Sequence, residues 1–101
     1  MKYFVIEGMF LDGHPTGAAM EEAMKAHLEY FRAGFKSGAI LFSGPKQNGR
    51  GGVVVVKCKD TDDLQDFIAK DPFVTAGIQT YRVTEFALYD CQEPLRYWFD
   101  Q

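Results

Sequence analysis

The chain has 101 residues, enough for one domain around one core. Hydrophobic residues make up 47% and charged residues 25%, the balance of an ordinary folded domain and not of a disordered or fibrous chain. A formal net charge of -3, a pI near 5.2 and Lys and Arg spread along the sequence exclude the concentrated basic patch that a nucleic-acid or anionic-membrane surface needs.

Residues Tyr3 to Leu11, rich in aromatic and branched side chains, predict a strand, and Asp12-Gly13-His14-Pro15 a turn. From Gly17 to Lys36 the period changes. Met20, Ala23, Met24, His27, Leu28, Phe31 and Phe35 recur at helical spacing, with Glu21, Glu22, Lys25, Glu29 and Arg32 between them. Ser37-Gly38 ends this helix, with Gly38 suited to the left-handed position after the last turn. Ala39 to Ser43 predicts a second strand, residues 44–52 a long glycine-rich hairpin loop, and Val53 to Val56 a strand apolar on both faces. Asp60 reads as an N-cap with Asp63 three residues on, ahead of a helix striped by Leu64, Phe67 and Ile68. That helix must stop near Lys70, because Asp71 precedes Pro72 and is pushed out of helical angles. Gly77 or Ile78 to Tyr89 predicts the last strand, and a tail, residues 90–101, carries Tyr97-Trp98-Phe99.

The order strand, helix, strand, strand, helix, strand predicts an α+β, ferredoxin-like split βαβ subunit: an antiparallel sheet with two helices on one face. The whole chain, 1–101, forms a single domain with its core in about 1–89. Helices on one face leave the other face uncovered, yet the strands are apolar on both. Such a patch exceeds what monomers tolerate. The expectation is a homodimer packed sheet against sheet, with the aromatic tail docked at that interface. No apolar run approaches the length that spans a bilayer, and the N-terminal run is too short for a signal peptide. Cys58 and Cys91 fit no zinc or redox spacing. The chain therefore reads as a complete cytoplasmic protein with free thiols.

Two residues point to acid–base chemistry. His27 lies on the apolar stripe of the first helix, and Asp71 is held at a helix stop beside proline. Imidazole passes protons both ways near neutrality, and a neighbouring carboxylate fixes its tautomer. The bland readings are a core histidine bonded to a carbonyl or hydroxyl, and an aspartate capping the turn Phe73-Val74-Thr75. Ser43, in Ser43-Gly44-Pro45, closes a turn or donates to a substrate oxygen. Arg50 sits in a flexible hairpin or on a substrate lid. Glu7, among Tyr3, Val5 and Met9 on a central strand, must find a partner such as Arg82 or line a cavity. Phe4, Phe31, Phe42 and Phe73 are candidates for an apolar wall. His14 and His27 are too differently placed for a metal site, and no nucleophile elbow, dinucleotide fingerprint or haem motif is present, so no metal or cofactor is expected.

Three stretches resemble the YCII-related family of the dimeric α/β-barrel superfamily. They are the opening strand Tyr3-Phe4-Val5-Ile6; His27-Leu28 after Lys25-Ala26, followed by Gly38 and Leu41-Phe42-Ser43-Gly44-Pro45; and Lys70-Asp71-Pro72-Phe73-Val74-Thr75-Ala76-Gly77. The resemblance covers most of residues 1–89. It implies a ferredoxin-like subunit, a dimer, and a His–Asp pair in a cleft, here His27 and Asp71. One branch of that family resembles enzymes that eliminate chloride from chlorinated hydroxyquinones, and the wider superfamily includes muconolactone isomerases and small monooxygenases. The expected function is a cofactor-free acid–base enzyme acting on a small aromatic or enol-type molecule by elimination or isomerisation. The alternative is a non-catalytic dimeric module that binds a small ligand or serves as an accessory subunit.

Overall fold

A computed structural model describes residues 1–100. Four strands form one antiparallel sheet: β1 (Lys2–Phe10), β2 (Ile40–Pro45), β3 (Gly52–Cys58) and β4 (Gln79–Phe86), in the order β2-β3-β1-β4. Two helices connect them, α1 (Gly17–Ser37) and α2 (Thr61–Ala69). A four-residue helix α3 (Pro72–Thr75) follows, and the tail adds a 3-10 turn (Glu93–Leu95) and α4 (Arg96–Asp100).

The register sorts the side chains by face. Phe4 and Ile6 of β1 point to the same side as Val54, Val56 and Cys58 of β3. These residues pack with Phe31 of α1, Leu64 of α2 and Ile40 of β2 into the main core. Period-2 alternation in the strands and the apolar stripes of the helices meet here, which is why both helices settle on this face. The other face carries Tyr3, Val5, Glu7 and Met9.

Local signals hold where the backbone chemistry is strict. Gly38 adopts φ 84° and its N–H donates to the Phe35 carbonyl, ending α1. The Asp60 side chain accepts the Asp63 N–H, opening α2. Asp63 returns a bond to the Lys59 N–H and not to that of Asp60, so the box is offset by one residue. Asp71 is extended, at φ -65° and ψ 123°, and caps α3 by accepting the Phe73 N–H. The strand edges differ from expectation. β2 and β3 run on past Ser43 and Val56, whereas β4 ends at Phe86, short of Tyr89. The apolar run Phe86-Ala87-Leu88 extends the sequence signal past Phe86, which pairs with Tyr3 near the start of β1.

The tail packs on the sheet of its own chain. Trp98 is buried, its Nε1–H donates to the Gly38 carbonyl at 2.7 Å, and its ring lies 5.8 Å from that of Tyr3. Tyr3 donates to the Phe99 carbonyl and Lys57 to that of Trp98. Burial holds the Lys57 amine below the usual lysine range. The last residue of the expected tail, Gln101, lies outside the described residues.

Candidate active site

His27 owes its place to α1. It lies one turn after buried Ala23 and one turn before buried Phe31, so the helix turns its ring toward the sheet. The ring is clamped. Phe73 stacks on it at 4.2 Å between centroids and 6° between planes, and Phe31 lies 4.2 Å away at 43°. The clamp presents Nδ1 to Asp71 Oδ1 at 2.7 Å.

Asp71 is wholly buried. Its position follows from the helix stop before Pro72, which leaves the carboxylate between α1, α3 and β4. Oδ1 accepts from the Phe73 N–H as well as from His27, and Oδ2 accepts from the Tyr81 hydroxyl. The Phe73 N–H and the Tyr81 hydroxyl donate, and the carboxylate can accept a third bond from His27 in its Nδ1–H tautomer. In the Nδ1–H tautomer that suits this carboxylate, Nε2 carries the lone pair. It makes no hydrogen bond among the described residues, and it is not among the sealed polar atoms. Tyr81 keeps its proton: burial and the adjacent Asp71 charge both push its hydroxyl far above the ordinary tyrosine range.

A cavity of about 360 Å³ lies beside the ring. Met24, His27, Leu28 and Phe31 of α1 form one wall. Ser43 and Gly44 of β2, with Gly51 and Gly52 at the start of β3, form the wall across from it. Phe73, Gln79 and Tyr81 also line it. Met24 and Leu28 stay exposed, so the apolar stripe of α1 continues past the core to this opening. Gly51 lets the loop reach the sheet. Its φ is +113°, and any Cβ there would run into the Gly8 carbonyl oxygen.

The structure thus brings together His27, Asp71, Phe73 and Ser43. It does not bring in Arg50, which is exposed and whose N–H bonds to Asn48 Oδ1 within the loop. Glu7 faces the other side of the sheet. There Lys46 donates to it at 3.0 Å and holds its carboxyl below the usual range. Of the four phenylalanines, Phe31 and Phe73 line the cavity, Phe4 belongs to the core, and Phe42 lies half exposed opposite Val55 on the uncovered face. His14 is half-buried against Phe10, with Nδ1 on the Pro15 carbonyl. No group of three or more metal-ligating side chains occurs among the described residues.

Gln79 and Tyr81 went unmarked by sequence reasoning. Their shared direction follows from pairing with β1, where Phe10 sits opposite Gln79 and Gly8 opposite Tyr81. The available signal was a glutamine and a tyrosine two apart in a strand whose alternate residues, Thr80 and Arg82, are polar.

A four-stranded antiparallel sheet of order β2-β3-β1-β4 under two helices, with a histidine–carboxylate pair at a cleft, defines a ferredoxin-like α+β fold. The chain belongs to the YCII-related domain family, whose model matches residues 4–87. Among solved structures it is similar to 5-chloro-2-hydroxyhydroquinone dehydrochlorinase from Burkholderia phenoliruptrix AC1100, in complex with 2,5-dihydroxybenzoquinone. That match has a TM-score of 0.68 at 20% identity and covers 84% of this chain and 93% of the other. A hypothetical protein from Pyrococcus horikoshii matches with a TM-score of 0.50 at 16% identity, over 87% of this chain and 92% of that one. No curated protein matches the sequence. At these identities the likeness shows the fold.

Proposed function

We propose that this protein is a small acid–base enzyme that eliminates from, or isomerises, a small aromatic or enol-type molecule. The observation that carries this reading is the 2.7 Å bond from His27 Nδ1 to a wholly buried Asp71, beside a largely apolar cavity that His27 lines. In the proposal Nε2 takes a proton from the substrate. The electron pair released forms a new double bond; in an elimination it expels a leaving group such as halide from the adjacent carbon, and in an isomerisation it opens an existing double bond whose far atom takes up a proton. The proton on Nε2 then passes to solvent or, in an isomerisation, to a second atom of the substrate. Asp71 orients the ring and offsets the imidazolium charge. Ser43 supplies a polar contact and Phe73 an apolar one. The chemistry asks only for proton transfer, so no cofactor enters the reading. The dehydrochlorinase neighbour supports chlorinated hydroxyhydroquinones as first compounds to test.

The test is halide release and ultraviolet change over a panel of chlorinated hydroxyhydroquinones and enols. His27→Ala and Asp71→Asn should lower turnover by about 10²–10⁴ while the fold persists. Folded variants that keep full turnover on a compound the parent consumes sink the proposal. Saturable binding without turnover favours the alternative of a ligand-binding module.

The reading includes a homodimer formed sheet against sheet. Val5, Met9 and Val53 are only half-buried and Phe42 is 52% exposed, a patch that a second copy would cover. Sedimentation should give twice the chain mass, and Phe42→Asp should shift it toward one chain. A parent that sediments as a single chain at micromolar concentration removes the dimer. A cytoplasmic location fits the two free cysteines, and cell fractionation tests it.

A further inference from the structure

Asp71 has one partner that the acid–base reading leaves unused. The Tyr81 hydroxyl donates to Oδ2, and the hydroxyl oxygen in turn accepts from Gln79 Nε2 at 2.9 Å. Gln79 is buried, 4% exposed, and its other amide atom, Oε1, is sealed with no partner among the described residues. A buried carbonyl left without a donor is rare in native structures and calls for a reason.

The reason lies in proton direction. A tyrosine hydroxyl has one proton to give. An amide NH₂ can only donate, so with Nε2 against it the Tyr81 proton has Asp71 as its acceptor. Turned over, the same amide would offer its carbonyl to Tyr81 and draw that proton off the carboxylate. Position 8 makes room for the Gln79 side chain. A Cβ on Gly8 would stand 2.5 Å from Gln79 Oε1 and 3.0 Å from its side-chain carbonyl carbon. Gly8 faces Tyr81 across the β1–β4 ladder, so the glycine and the amide occupy one shared space.

We infer that Gly8, Gln79 and Tyr81 form a positioning arm that holds a third donor on Asp71 and thereby keeps His27 in the form with Nδ1 protonated and Nε2 open to the cavity. Gln79 offers the Tyr81 proton no second acceptor and so leaves it to Asp71, and Gly8 leaves the space that the Gln79 side chain fills. The remaining titratable group nearby, Tyr30 on α1, gives its hydroxyl to the Phe67 carbonyl and does not compete. The inference deepens the acid–base reading and rests on its dyad.

The experiment is nitrogen and proton NMR of the His27 ring across pH, with no ligand present. The parent should show Nδ1 protonated and Nε2 bare at high pH; the opposite tautomer ends the dyad itself. Tyr81→Phe keeps the ring and loses the donor, so the carboxylate becomes more basic. The midpoint of the His27 titration should rise by about 0.5–1 pH unit. Gln79→Glu, which takes the Tyr81 proton, should move it the same way, and Gln79→Met, which leaves that proton on Asp71, should move it much less. A parent with the expected tautomer whose midpoint stays put in both Tyr81→Phe and Gln79→Glu overturns the arm and spares the dyad. If a variant fails to fold, the parent still decides. A Tyr81 hydroxyl proton protected from exchange supports the arm, and one that exchanges freely overturns it.

Discussion

At the residue scale, Asp71 does two jobs with one side chain: it caps α3 and it holds His27. The two roles stand together because a carboxylate accepts several donors at once, and here both donors share Oδ1. Asp71→Ala would strand three donors in a dry site and should cost about 2–4 kcal/mol, read by urea unfolding. A loss below about 1 kcal/mol would mean that the three bonds add little. Cys58 offers a pH-dependent case. Burial, then the charges of Asp63 and Asp60, push its thiol up from 9.0 to about 11. The unfolded chain therefore gives up this proton first as pH rises. The stability gained by keeping the thiol neutral is full below pH 9 and fades toward about 11. Between those values the parent should lose stability more steeply than Cys58→Val, which has nothing to titrate. Parallel stability curves would contradict the shift.

At the element scale, what the sequence stated most clearly was chemistry confined to a few adjacent residues. Gly38 could be read as the end of α1 and Asp60 as the start of α2, because each works within one turn. Asp60→Ala should cost about 1 kcal/mol in thermal or urea melts. The hairpin loop was legible as a loop but not as a wall of the cavity. That role depends on Gly51 lying against Gly8, a contact between distant parts of the chain. Gly51→Ala must both leave its positive φ and push the loop off β1. It should destabilise the protein by more than about 1 kcal/mol. An unchanged melting temperature would show that the loop does not rest there. The ends of β4 were misjudged for a related reason, since strand ends depend on where the partner strand stops.

At the scale of the whole molecule, the tail decides how much of the uncovered sheet face is left. It lays Trp98 and Phe99 over Tyr3 and Lys57 at one end of that face. Trp98→Ala should cost about 3 kcal/mol, the range for emptying a buried large aromatic, read by denaturant unfolding. A cost near zero would place the tail in solution rather than on the sheet. The split βαβ order and the one-sided helices were legible because hydrophobic period follows secondary structure directly. Where the tail would settle was not, since an aromatic cluster at a chain end has many surfaces to choose from.

The sequence by itself determined the element order, the fold class, the family, and the two residue types at which chemistry would be sought. Each of those rests on local periodicity, capping or a contiguous motif. Only the tertiary structure decided that His27 and Asp71, 44 residues apart, are bonded. It also decided that Glu7 faces away from the cavity and that Tyr81 and Gln79 stand behind the carboxylate. Those outcomes turn on strand register, where a slip of a single residue moves a side chain to the opposite face of the sheet.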